Sequence, residues 1–168
     1  MARSVMLSLL VEQHARLGDA FLERYGHPWL VWNASTWSAP SVDGHTRIIR
    51  LPTAPSPPKE MYALCLALTF KGDAKQITLG RSNDNDVVIN DGTVSRRHAV
   101  ITLGASGTWQ VQPLPETSGT ICASRPLSEN EVGALVDGQR LVVGGVELTF
   151  YQPRSFLELL RRWSATAT

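Results

Sequence analysis

Apolar and polar side chains alternate with a period of two through the middle of the chain: Ile77 and Leu79, then Val87 and Ile89, then Ala99, Ile101 and Leu103 set against His98, Val100 and Thr102. These runs are short and bounded by Gly, Asn, Asp or Ser, the pattern of half-buried strands joined by turns. Trp109 to Leu114 reads as a further strand, and Leu135 to Phe150 as two strands alternating about Gly144-Gly145. The succession predicts a two-sheet antiparallel β-sandwich from Met61 to Gln152, with about 11 strands and with Arg81, Ser95 and Ser118 on loops at one end. Met61 to Phe70 is an unbroken apolar run, suited to a strand covered on both faces.

The two ends follow a helical period instead. Leu7, Leu10, Val11, His14, Leu17, Phe21 and Tyr25 share one face of an amphipathic helix that Gly26 and His27-Pro28 stop. Trp29 to Trp32 and Arg47 to Leu51 then read as a hairpin about Asp43-Gly44, and Pro52, Pro55, Pro57 and Pro58 impose an extended connector. Near the C-terminus, Ser155 and Glu158 have the spacing of a capping box, and Phe156, Leu159, Leu160 and Trp163 fall on one helical face. The expected organisation is therefore an N-terminal helix and hairpin extension (1–52) packed on the main domain, a Pro-rich linker (53–60), the sandwich (61–152), and a C-terminal amphipathic helix and tail (153–168). An extension of about fifty residues is too small to bury a core comfortably, so its tryptophans are expected to pack elsewhere. Docking on the C-terminal helix is one solution; a homodimer through the two apolar terminal helices is the other.

Composition narrows the function classes. The chain is 43% hydrophobic and 18% charged, which suits a folded globular protein. A net charge of +1 encodes no bulk attraction to nucleic acid or to an acidic membrane, so any anion site must be local. No apolar run is long enough to span a bilayer, and the short run Val5 to Val11 lacks a cleavage site, so the expected location is cytoplasmic. Cys65 and Cys122 sit in apolar runs without a metal-ligand partner at useful spacing, and neither a cofactor nor a metal is expected.

The chemistry concentrates on two adjacent loops. Arg81 offers a planar fork that can hold two oxygens of one phosphate, and Ser95 adds a hydroxyl and a loop N–H. A phosphate ester fits these groups. Gly80-Arg81, the step Asp86-Val87-Val88 and Ser95-Arg96-Arg97-His98 resemble, in order and spacing, the signature of the forkhead-associated (FHA) domain, and Leu135 to Phe150 resembles that family's last hairpin. The resemblance covers about Met61 to Gln152, and a bacterial member is expected.

That resemblance implies a phosphothreonine-dependent protein interaction module in Ser/Thr kinase signalling. Its phosphopeptide-binding residues would be Arg81, Ser82, Ser95, Arg96, Arg97, Thr117 and Ser118, with Gly80, His98 and Gly119 supporting the loops. The implied partner is a phosphothreonine-containing protein or a Ser/Thr kinase. Where the family has an asparagine that holds the peptide backbone, this chain has Ser118. The alternative is thus a degenerate FHA fold that serves assembly without binding phosphopeptides. An enzyme is not expected, because Ser95 and His98 lie in no nucleophile elbow and no phosphate-cradling Gly-x-x-x-x-Gly-Lys occurs.

Overall fold

In a computed structural model, described here for residues 4–32 and 63–166, two β-sheets stack face to face and two helical segments cover the outer side of one of them. The strands are β1 (Ser4–Met6), β2 (Trp29–Trp32), β3 (Leu64–Ala67), β4 (Gln76–Gly80), β5 (Val87–Val88), β6 (Ala99–Leu103), β7 (Trp109–Pro113), β8 (Thr120–Cys122), β9 (Arg125–Pro126), β10 (Gly133–Leu135), β11 (Arg140–Val143) and β12 (Val146–Tyr151). The helices are α1 (Leu7–Leu17), α2 (Phe21–Tyr25) and α3 (Pro153–Thr166). One sheet has the order β1-β3-β2-β12-β11-β8-β9, the other β10-β7-β6-β4-β5. Pairing is antiparallel except between β4 and β5, which run parallel with Leu79 opposite Val87. The parallel β4–β5 pair is a departure from the antiparallel pairing expected of the sandwich.

The sandwich core lies between the sheets. Ile77, Leu79, Val87, Ile89, Ala99, Ile101 and Val111 from the five-stranded sheet meet Leu30, Leu66, Leu141, Val143, Leu148 and Phe150 from the seven-stranded one. The five-stranded sheet is buried on one face only, so its sequence keeps the period of two. A second core lies on the far side of the seven-stranded sheet, where Trp29, Val31 and Cys65 pack with Leu7, Leu10, Val11, Phe21, Phe156, Leu157 and Leu160. Trp29 and Phe156 stack with ring centroids 4.9 Å apart. The apolar faces of the terminal helices thus close on each other and on the sheet within one chain.

The expected N-terminal extension is not a unit set against the sandwich. Trp29–Trp32 is an interior strand, paired through Trp32↔Leu148 on one side and Trp32↔Leu64 on the other. All four of its residues are buried. A strand apolar on both faces needs a cover on both, and the place between β3 and β12, with a sheet above and helices below, supplies it. The second strand expected at 47–51 and the connector 53–60 lie outside the described residues.

Both helical ends differ in detail from expectation. The N-terminal helix is broken: Gly18 takes φ +53° and sends its N–H to the His14 carbonyl, ending α1 before α2 begins. Helix α3 starts at Pro153, two residues before Ser155, as suits a proline at the first helical position. No capping box forms. The side chain of Asp137, from the turn before β11, accepts the Gln152 N–H at 2.7 Å and the Ser155 hydroxyl. A carboxylate at that helix end also complements the dipole. Asp137→Ala should therefore cost about 1–2 kcal/mol of unfolding free energy. Glu158→Ala, which removes only an exposed pair with Arg161, should cost less than about 0.5 kcal/mol. Urea denaturation of the two variants checks this, and equal losses would return the helix start to Ser155 and Glu158.

Candidate functional site

Three loops meet at one end of the sandwich. Strand β4 ends at Gly80, where a Cβ would stand 2.4 Å from the Arg96 carbonyl oxygen and 2.9 Å from the Arg97 Cα. Only glycine admits that approach without moving backbone. Across it, the Arg81 N–H donates to the Ser95 carbonyl at 2.9 Å and the Ser82 N–H to the Arg96 carbonyl at 3.0 Å. Arg81 adds a third tie, its Nε donating to the Val94 carbonyl at 3.1 Å.

Two residues outside the sequence reading complete this junction. Asn85 is 3% exposed, and its amide nitrogen donates to the Ser82 carbonyl at 2.8 Å and the Arg96 carbonyl at 2.7 Å, stapling the two loops from within. Thr93 works from the outside: its hydroxyl oxygen accepts the Gly145 N–H at 2.7 Å, so the β11–β12 turn braces the loop before Ser95. Gly144 makes this contact possible, with φ +62° and an imagined Cβ only 2.3 Å from the Thr93 carbonyl oxygen. In sequence both are ordinary polar turn residues, and no local signal marks their partners.

His98 is fully buried at the start of β6. Its Nδ1 accepts the Ser95 N–H at 3.2 Å, and its Nε2 hydrogen-bonds the buried Thr120 hydroxyl at 3.0 Å. The Ser95 N–H is thereby turned inward to the imidazole, which leaves that residue's hydroxyl as its remaining polar group. Burial holds the His98 pKa below its ordinary value. The His98 carbonyl also accepts the Thr117 hydroxyl at 3.2 Å, and the same hydroxyl reaches the Leu114 carbonyl at 2.6 Å. Thr117 thus locks its own turn.

These ties shape a groove of about 420 Å³ lined by Ser82 and Asp84 from the β4–β5 loop, Ser95, Arg96 and Arg97 from the β5–β6 loop, and Pro115, Glu116 and Thr117 from the β7–β8 loop. Of the sequence-derived binding residues, Ser82, Ser95, Arg96, Arg97 and Thr117 converge here. Arg81 and Ser118 lie outside this lining, Arg81 at the β4 end beside it and Ser118 exposed next to Thr117 in the same β7–β8 loop. Gly119, at φ +81°, accepts the Gly144 N–H at 3.0 Å and so joins the same brace as Thr93.

The groove's charges are mixed. The Asp84 carboxyl is held below its ordinary pKa by the Ser82 hydroxyl first, then by its own backbone N–H and the Arg97 charge. Asp86, further from the groove, is desolvated, which acts to raise its pKa, but bonds from Lys71 and from the Thr78 N–H and hydroxyl outweigh this and hold it down. That set pins the β4–β5 turn. Among the described residues no group of His, Cys, Asp and Glu side chains is arranged to hold a metal ion, and no helix is long and apolar enough to cross a membrane.

A β-sandwich positions its inter-strand loops at its ends, and here three of them line one groove. Residues 77–144 match the family model of the FHA domain. The N-terminal FHA domain of Rad53 from S. cerevisiae, solved in complex with a phosphothreonine peptide, shares the fold with a TM-score of 0.51 at 15% identity, over 79% of this chain and 98% of that one. EmbR of Mycobacterium tuberculosis, solved with a low-affinity phosphopeptide, is 28% identical over 47% of this chain (TM-score 0.42); the match spans 20% of EmbR. The FHA domain of the Chlamydia trachomatis CT664 protein is 17% identical over 74% of this chain and 96% of its own (TM-score 0.48). A search of curated proteins finds no match.

The imidazole brace makes the loops sensitive to acid. The unfolded chain protonates histidine near pH 6.5, whereas folded His98 and folded His27 both protonate lower because burial disfavours the charged ring. The unfolded state therefore binds more protons just below that pH, so the stabilisation is complete above about pH 6.5 and is lost as pH falls beneath it. The slope is at most about 1.4 kcal/mol per pH unit for each histidine. Urea denaturation between pH 7.5 and 5.5 should show the decline, and His98→Gln should remove part of it. A wild-type stability that is level over that range would contradict this account.

Proposed function

We propose that this chain binds phosphothreonine-bearing segments of partner proteins, phosphorylated by or belonging to Ser/Thr kinases. The observation that carries the reading is the groove in which Ser82, Ser95, Arg96, Arg97 and Thr117 converge from three loops, all within the stretch that matches the FHA domain. A phosphothreonine brings about −1.5 to −2 charges and three acceptor oxygens. Arginine forks answer such a group better than any other side chain, and capture of phosphorylated motifs by arginine clusters is a known mode of peptide recognition.

The roles divide by position. Arg96 and Arg97 supply charge inside the groove, and the Ser95 hydroxyl supplies a short donor, while the Ser82 hydroxyl on the same wall is held by Asp84. Arg81 stands beside the groove with its Nε spent on Val94; its two terminal nitrogens would meet a phosphate seated at the Ser95 end. Ser118 would make at most one bond to the peptide backbone, where an asparagine could make two. Binding without catalysis is the expected activity, the location is cytoplasmic, and neither cofactor nor nucleic acid is needed. A homodimer through the terminal helices gains no support from apolar faces that are packed against each other within the chain.

Titration of the purified protein with a phosphothreonine peptide and its unphosphorylated twin tests the proposal. Wild type should bind only the phosphorylated form. Arg81→Ala should weaken that binding at least tenfold, since hydrogen bonds to charged groups contribute about 1.5–3 kcal/mol each. Ser95→Ala should weaken it less, and Ser118→Asn should tighten it by up to about tenfold. Equal binding of the two peptides by wild type would favour the assembly role for a degenerate fold.

A further inference from the structure

The groove is not the uniformly basic pocket that a phosphate alone would call for. Arg96 and Arg97 occupy its middle loop, while a carboxylate stands on each flanking loop, Asp84 from one side and Glu116 from the other. Asp84 is already engaged, taking the Ser82 hydroxyl and lying in the field of Arg97. Glu116 is not so placed: its backbone N–H goes to the Glu129 side chain at 2.8 Å, which brings a further carboxylate to the same rim, and both residues are exposed. The Glu116 backbone has φ +62° in a turn whose second residue is Pro115. Glycine or asparagine would occupy that position with less strain.

We propose that the Glu116 rim selects the residue flanking the phosphothreonine, and that the preferred ligand carries lysine or arginine there. This rests on the phosphothreonine reading above. A phosphate seated on Arg96 and Arg97 offsets the two positive charges of the middle loop, so the Glu116 carboxylate on the rim is set to meet the residue beside it in the peptide. A basic residue there supplies a counter-charge. An acidic residue would meet two carboxylates, a like-charge approach that excludes partners rather than attracting them. Because the rim is exposed, the discrimination is modest and falls with salt.

Three phosphothreonine peptides that differ only in having lysine, alanine or glutamate flanks, each with its unphosphorylated counterpart, test this by titration at low and high ionic strength. Wild type should rank them lysine, alanine, glutamate, with about a tenfold spread between the extremes at low salt that shrinks at high salt. Glu116→Lys should reverse the order, and Glu116→Gln should flatten it; both keep a side chain at the strained position, so the turn is altered equally. Phosphate-dependent binding by wild type with no flank preference, or a preference that Glu116→Lys leaves unreversed, would overturn the proposal while leaving the phosphothreonine reading intact. No difference between phosphorylated and unphosphorylated peptides would overturn that reading, and this one with it.

Discussion

The backbone contact at Gly80 governs the groove end of this fold. Strand β4 and the β5–β6 loop touch there with no room for a methyl group, and two backbone hydrogen bonds close across the contact. Loops are held by backbone pairing only when their chains come this near, and a loop so held needs little further ordering when a ligand arrives. Asn85 beneath the contact donates to the same Arg96 carbonyl, and His98 beyond it takes the Ser95 N–H. Each of these buried polar groups has a partner, so the junction is stabilised rather than penalised by its burial.

The scaffold behind that junction owes its order to a middle layer. The seven-stranded sheet carries an apolar core on each face, one shared with the other sheet and one with the terminal helices. Strand β2 joins both, with Leu30 and Trp32 facing one core and Trp29 and Val31 the other. Such an arrangement couples the helices to the sandwich even though they lie far along the chain from the loops.

How legible these features were in the sequence depends on how local their causes are. Strands β4, β6 and β7 could be read directly because one buried face leaves a period of two in the chain. Strand β2 could not be assigned to the sheet, because covering both faces erases the alternation and Trp-Leu-Val-Trp then looks like any apolar run. Gly80, Arg81, Ser95 and His98 stood out through their spacing, whereas Asn85 and Thr120 are polar residues whose burial is decided by distant neighbours. The start of α3 was misread for the same reason: Ser155 and Glu158 fit a local rule, but Asp137, far off in sequence, reaches the helix end first.

Strands β2 and β3 are adjacent and antiparallel, with Trp32 directly opposite Leu64. The chain leaves the sheet at Trp32 and is back in it at Leu64, so these two points are held side by side at one end of the same ladder. Joining two points already held together makes the entropy of the connection grow only with the logarithm of its length. Insertions and deletions there should be tolerated by the sheet, which makes that junction the natural place for this protein to gain or lose a segment without disturbing the groove at all.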